Sequence, residues 1–407
     1  MAAGNAEDGG RLWNARFVHL VAIEVALQMG LQLSTPIVSN YAVSLGMTVA
    51  LAGVLAGLNA TTSVFMRPIS GFVSDRFSKK SLMVGAAAAM AVAVLGCAFS
   101  TSALAIGFFR VVLGMAFAFK SVVSISMVRL VVPASAVGRG VGWFSLAFTV
   151  ACAVAPAIGA EVGTAVGYRA SFLLAGVLLA AGFVLALLFK APDSAQAHAA
   201  PATGARGLQA LAQFLRPSRL FFAPSFPLAA VTVFLMMAQN AANALVLLAS
   251  DMRGIGGASA FFAAYAAACL VSRPLAGRVS DKRGLAALLV PMSFVSIAGM
   301  LAMAFVPSLW GVVLGGLLTG TGQASSYSAL QAEAVRGVPE EKVGRAVSTF
   351  YIGPDLGTGL GPVLGGAVLQ AWGPTALYLF GAGSFAACLA LFLALRAWRA
   401  ARRAGAR

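Results

Sequence analysis

The sequence predicts an all-α integral membrane protein, with twelve transmembrane helices in two six-helix parallel repeats. Three observations carry that prediction. Of the 407 residues, 60% are hydrophobic and 10% are charged, and the mean hydropathy is +0.90. A soluble domain carries about a quarter charged residues, so this chain lacks the charge to solvate itself. Its apolar residues fall into twelve runs near the roughly 20 residues that a helix needs to cross hydrocarbon. Its two halves also superpose, residue on residue, at one fixed offset.

The twelve runs cover 15–38, 47–68, 81–100, 103–128, 140–162, 170–189, 221–248, 258–277, 285–305, 308–332, 345–367 and 374–396. None shows the apolar–polar alternation over about ten residues that marks a membrane strand. All are rich in Gly and Ala, which lets helix backbones approach closely in lipid. The first run continues past Gln32 without a signal-peptidase site, so it reads as a retained span.

Charge sets the orientation. The chain holds 28 Lys and Arg against 12 Asp and Glu, a net charge of +16. With the N-terminus placed in the cytoplasm, twenty-four of the 28 cations fall on cytoplasmic tails, loops and helix ends. Arg169 and Arg253 fall outside, and Arg110 and Lys120 lie within the fourth span. This is a strong positive-inside asymmetry, and it predicts a multi-pass protein of the inner or plasma membrane with both termini cytoplasmic. The excess charge then needs no nucleic acid as partner. It orients the chain and attracts anionic lipid.

Residues 1–190 form the first half and 220–407 the second. Between them, residues 191–219 contain Pro192, Pro201, Gly204 and Pro217 with several Ala and Ser, the composition of a flexible cytoplasmic linker. Adding 206 lays Arg67-Pro68 on Arg273-Pro274, Gly71 on Gly277 and Val73-Ser74-Asp75 on Val279-Ser280-Asp281. It also lays Pro156 on Pro362 and Gly159 on Gly365. Polar, Pro and Gly residues kept in register over about ninety residues mark parallel repeats.

The segment "GFVSDRFSKK", Gly71 to Lys80, resembles the loop signature of the major facilitator superfamily, and a shorter copy, "GRVSDKRG", starts at Gly277. Ser78 replaces the usual Gly, and the second copy lacks the closing basic pair. The resemblance covers the whole chain and implies the major facilitator fold and a secondary transporter. It implies a gating role for Gly71, Asp75, Arg76, Lys79, Lys80, Gly277 and Asp281, whose contacts would be made in one state and broken in the other. The other reading of this segment is a solvated turn that helps insertion.

Arg110, followed by Gly114, resembles the fourth-helix motif that the family's antiporters link to proton transfer. A buried Arg or Lys is costly without a partner or water. For Lys120, snorkelling to the cytoplasmic interface is the competing reading. Glu24, Glu161 and Asp355 are the acids within spans. Glu161 lies near the outer end of the fifth. At about 1.5 Å per residue, Glu24, Asp355 and Lys120 come out at similar depth. Glu24 and Asp355 break the repeat, since their partners are Ala230 and Thr149. In an apolar surround a lone carboxylate is driven towards its neutral form. Glu24, Arg110, Lys120 and Asp355 are therefore the candidate proton-coupling residues.

The fifth span carries "AVAPAIGA" and the eleventh the fuller "GTGLGPVLGG", similar to the Gly-rich signature of the superfamily's antiporters. Pro156, Gly159, Gly361 and Pro362 are candidates for a helix kink, or for close packing alone. Amides and a phenol mark candidate substrate contacts: Gln28 and Gln32 in the first span, Gln239, Asn240 and Asn243 in the seventh, and Gln323 and Tyr327 in the tenth. Asn59 and Gln331 are further polar residues within spans. The spacings of Gln239 with Asn243 and of Gln323 with Tyr327 put each pair on one helix face.

The pattern is most similar to the superfamily's drug/proton antiporters and metallophore exporters. It predicts proton-coupled efflux of a small amphipathic molecule by a protein that works as a monomer. A proton-coupled importer of a small metabolite is the alternative, because one fold serves both directions. No nucleophile–base pair or nucleotide-binding loop points to an enzyme or to ATP, and no cofactor or metal is expected. The four cysteines, Cys97, Cys152, Cys269 and Cys388, sit singly in apolar runs and read as core residues.

Overall fold

The computed structural model describes residues 12–133, 137–190, 221–334, 336, 338 and 340–404. These residues form helices and contain no strand. In the first half they are α1 (Ala15–Ser34), α2 (Val38–Ser44), α3 (Val49–Arg76), α4 (Lys79–Phe99), α5 (Ala103–Val131), α6 (Val137–Ala165) and α7 (Tyr168–Leu188). After a 3-10 turn at Ala223–Ser225 come α8 (Phe226–Asp251), α9 (Ala260–Arg283), α10 (Leu285–Phe305), α11 (Leu309–Glu333) and α12 (Glu340–Ala404). The last is two spans joined end to end. Gly373, at φ 79° and ψ −176°, breaks it ahead of Pro374. With α2 set aside as a short extra helix, the expected twelve spans are present.

Eight helices among the described residues are long and apolar enough to cross a membrane, and one of these stretches, Thr349–Trp398, holds both of the last spans. Shorter apolar helices, Val150–Ala165 and Ala260–Arg273, occupy two further positions. The remaining span, α11, is held below that standard by its polar residues, from Thr319 through Gln323 to Gln331. The linker expected at 191–219 lies outside the described residues.

The loop reading of the two signatures is corrected. The backbone stays helical through Arg76 in α3 and through Arg283 in α9. Charged residues end the apolar count, but nothing there breaks a helix that has left the hydrocarbon. The chain turns only at Phe77-Ser78, where the Ser78 hydroxyl accepts a bond from Ser81 N–H and caps α4. Ser78, the residue that departs from the signature, thus starts the next helix.

The chain divides into two compact units. One comprises residues 1–37 and 62–216, the other residues 38–61 and 217–407. In the first unit, α1 packs against α6 and α7, and α4 against α5 and α7. Asn14 caps α1 by accepting from Phe17 N–H, and donates to the Val131 carbonyl at the end of α5.

In the second unit α8 is the most buried helix, and it packs most extensively on α12. The reason is a glycine stripe. A Cβ on Gly353, Gly357, Gly361 or Gly365 would strike Ala229, Val233, Met237 or Ala241 of α8 in turn. Both series advance by four, so one face of each helix meets the other. The opposite face of α12 receives residues 49–61 of α3 in the same way. There, Gly53 lies against Pro362 and Gly366, and Gly57 against Gly359. Gln370 also accepts a bond from Ala50 N–H at 2.8 Å, capping the start of α3. Gly361 and Pro362 lie in continuous helix, between these two contacts.

The outer cation Arg253 has a structural partner set. It donates to the Met303 and Ala304 carbonyls at 2.5 and 3.1 Å, in the last turn of α10. It also reaches Thr375 at 2.8 Å and lies over the Tyr378 ring at 5.3 Å. A guanidinium suits the carbonyl end of a helix, where the macrodipole is negative.

Candidate functional site

The first unit holds a buried charge pair. Lys120 Nζ lies 2.5 Å from Glu24 Oε1, with the two side chains 2% and 3% exposed. The second carboxylate oxygen accepts from Ser124 Oγ at 3.2 Å. Lys120 also donates to Gln28 Oε1 at 3.5 Å, and Gln28 Nε2 donates to Cys152 Sγ at 3.4 Å. The helix repeat explains the set. Glu24 and Gln28 stand one turn apart on α1, and Lys120 and Ser124 one turn apart on α5, so each helix presents two polar groups on one face.

This geometry changes the expectation for Lys120 and Glu24. Lys120 does not snorkel, because a carboxylate within the core satisfies it. Glu24 is not a lone carboxylate in an apolar surround, since each of its oxygens has a donor. An ion pair that is also hydrogen-bonded is the form in which buried charge is tolerated. Gln32, half-buried one turn farther along α1, makes no hydrogen bond to this cluster among the described residues.

Arg110 is also buried, 2% exposed on α5, with Cys97 of α4 among its electrostatic neighbours. Asp355 belongs to the other unit, where it is half-buried on α12 beside Pro354.

The second unit holds a neutral polar cluster. Gln239 donates to Asn243 Oδ1 at 2.9 Å, which realises the i to i+4 pairing. Asn240 donates to the Met236 carbonyl at 2.9 Å and to Thr358 Oγ1 on α12 at 3.2 Å. Gln323 accepts from the Tyr265 hydroxyl at 2.8 Å and donates to Met236 Sδ at 3.5 Å. Tyr327 stacks on Phe350, with centroids 6.3 Å apart. Asn240 and Gln323 thus meet Met236, Gln239 pairs with Asn243 along α8, and Tyr327 turns to α12. Beyond the cluster, Gln331 donates to the Tyr351 hydroxyl at 2.6 Å.

Among the signature residues, Lys79 and Lys80 open α4 and are half-buried. The side chains of Gly71, Asp75, Arg76, Gly277 and Asp281 lie outside the described residues. Pro156 is inside α6, and Gly159 packs on α1, where a Cβ would strike the Leu33 carbonyl. Ser124, Tyr265 and Thr358 carry no role in the sequence reading, and Cys152 reads there only as a core residue. Ser124 carried a usable signal, one turn after Lys120. Tyr265 is the single Tyr of its span.

Comparison with known proteins decides the family. The family model described as Major Facilitator Superfamily matches residues 20–290 and 228–406. The chain belongs to the Major Facilitator Superfamily. It is therefore a membrane transporter for small molecules and not an enzyme. It is 24% identical over 363 residues to the multidrug resistance protein MdtG of Erwinia billingiae, covering 86% of this chain and 84% of that protein. With MdtG of Salmonella typhimurium it shares 28% identity over 157 residues, 38% of each chain. Among solved structures, the nucleoside transporter NupG superposes with a TM-score of 0.74 at 15% identity, covering 93% of this chain and 99% of that one. A POT family transporter in complex with 5-aminolevulinic acid gives 0.76 at 13%, covering 95% and 97%. The human organic anion transporter MFSD10 gives 0.65 at 18%, covering 92% and 98%. At these identities the structures share the fold.

Proposed function

We propose that this transporter exports small amphipathic molecules from the cytoplasm in exchange for protons by alternating access, with the Glu24–Lys120 pair as its coupling element. The observation that carries the reading is that pair itself, buried on two helices and held by Ser124 and Gln28. Protonating Glu24 removes the negative half and leaves Lys120 charged in a dry site. A lone buried charge costs several kcal/mol. The protonated protein therefore favours any arrangement in which Lys120 meets water or another acceptor. Proton binding is thereby converted into a conformational bias, as coupling requires.

The neutral cluster suits the cargo. Met236 and Tyr265 offer apolar and aromatic surface, and Gln239, Asn243 and Gln323 offer hydrogen bonds without net charge. Relatives named multidrug resistance proteins support a drug-like cargo that leaves the cell. Inside-out vesicles given an imposed pH step test direction and coupling together. Substrate uptake that requires the gradient supports the proposal. Gradient-driven uptake by whole cells instead would establish the importer.

The proposal places both termini in the cytoplasm, from the charge asymmetry. A reporter that is active only in the cytoplasm should be active when fused after Arg407. Activity of a periplasm-specific reporter there would invert the topology. In the proposed gating, residues 1–190 and 220–407 act as the two alternating halves, and the Asp75 segment latches one state. Asp75→Asn should preserve expression and cut transport severely, whereas Asp281→Asn should do less, because its segment lacks the Lys79-Lys80 equivalent. Equal transport defects, or none, would refute that asymmetry.

A further inference from the structure

The second unit contains a cavity of about 330 Å³ that neither the pair nor the neutral cluster uses. Leu228 and Val231 of α8, Leu285 of α10, and Phe392 and Leu395 of the last span form its apolar wall, with Glu333 and Arg396 among its lining. Leu228 and Leu285 lie near the starts of their helices, Glu333 at the end of α11, and Arg396 near the end of α12. All four helix ends carry the cytoplasmic cations in the proposed topology. An apolar hollow at that level opens where lipid headgroups meet acyl chains.

The charges on its lining differ in what they have left to offer. Glu333 is engaged by Arg336 at 3.5 Å. Arg396 is exposed and makes no ion pair among the described residues. Downstream of Asp355 the sequence has no acid at all, while Arg399, Arg402, Arg403 and Arg407 follow Arg396. Trp398, two residues on in the same helix, is 52% exposed, as is common for Trp at a membrane interface. Arg396 is the cation on the lining, and its guanidinium can take two phosphate oxygens in its planar fork.

We propose that this groove binds an anionic phospholipid, with one acyl chain against Leu285, Phe392 and Leu395 and the phosphate on Arg396. A zwitterionic lipid could fill the apolar wall equally well. It would gain less at the rim, because its own cation offsets the attraction of its phosphate to Arg396. The preference for anionic lipid should therefore reside at Arg396, and the affinity for any lipid in the wall.

Full-length protein in detergent, with phosphatidylglycerol or phosphatidylcholine of identical acyl chains added, tests this by native mass spectrometry of retained lipid. Phosphatidylglycerol should be retained more strongly. Arg396→Ala should weaken its retention about fivefold, the worth of one cation near an anionic headgroup, and leave phosphatidylcholine nearly unchanged. Arg396→Lys should keep most of the preference. Leu395→Trp should fill the groove and reduce retention of both lipids. Glycerophosphoglycerol, the headgroup without chains, should not compete. Equal retention of the two lipids by the native protein, or an undiminished preference in Arg396→Ala, would overturn the proposal. Retention unaffected by Leu395→Trp, or competition by the free headgroup, would overturn the acyl-chain part. None of these outcomes depends on the direction of transport or on proton coupling.

Discussion

Glu24→Gln is expected to abolish accumulation driven by a proton gradient while substrate binding and substrate exchange survive. The amide keeps nearly the same volume and still offers Lys120 an acceptor, so the site keeps its shape. It loses the ability to take and release a proton. Coupling then fails without loss of the binding surface. Vesicles loaded with substrate and given a pH step read accumulation, and isotope exchange at equal pH reads binding and conformational cycling. Undiminished gradient-driven transport by Glu24→Gln would end the claim that Glu24 is an essential coupling residue. Asp355→Asn is the internal control. If Asp355 carries the proton, the two phenotypes exchange places.

The same pair predicts a pattern in stability. Removing one member of a buried ion pair costs about 3–5 kcal/mol, because the other charge is left behind. Glu24→Gln softens that loss through its remaining acceptor, and Lys120→Met in the same chain removes the orphaned charge altogether. The double variant should be more stable to heat than Glu24→Gln alone, a coupling of opposite sign to additive damage. Additive losses would show that the two side chains do not depend on each other.

Glu24 and Lys120 were legible one at a time. Glu24 was conspicuous because Ala230 stands at its repeat position, and Lys120 because a span tolerates a cation poorly. Their pairing was not legible. It spans 96 residues and depends on how α1 and α5 are rotated about their axes, which depth arithmetic along each helix does not contain. The same limit hid Cys152 and Thr358, whose roles come from neighbours on other helices. The twelve spans were legible because each needs only its own apolar content. Their ends were less so. Apolar content reports where hydrocarbon stops, while α3 and α9 stop at the next helix-breaking or capping residue, Ser78 or Gly284. The grouping of residues 38–61 with the second unit was likewise hidden, since it follows from the small residues of two helices distant in sequence.

That packing supports the second large effect, a loss of folded protein when the α12 stripe is filled. A Cβ on Gly357 would strike the Val233 carbonyl and come within 2.7 Å of Met236 Cβ and 2.9 Å of Met237 N. Two of those atoms are backbone, so α8 cannot yield by a rotamer change alone. Overpacking a core costs about 1–3 kcal/mol and sometimes more. Gly357→Ala should therefore lower the melting temperature of the detergent-solubilised protein, and Gly357→Leu should remove most of the folded fraction. Gly383→Ala supplies the contrast within the same helix element. No atom lies within 4 Å of its Cβ position, so the substitution should be neutral or stabilise by up to about 1 kcal/mol through helix propensity. The first half offers a second contrast. Ala147, Ala151, Ala155 and Gly159 occupy the positions of Gly353, Gly357, Gly361 and Gly365, so α6 already accommodates methyl groups where α12 does not. Ala151→Gly should cost about 2 kcal/mol, the helix-propensity difference together with the loss of a buried methyl. Equal tolerance of Gly357→Ala and Gly383→Ala would show that α8 and α12 are not held in contact by the stripe.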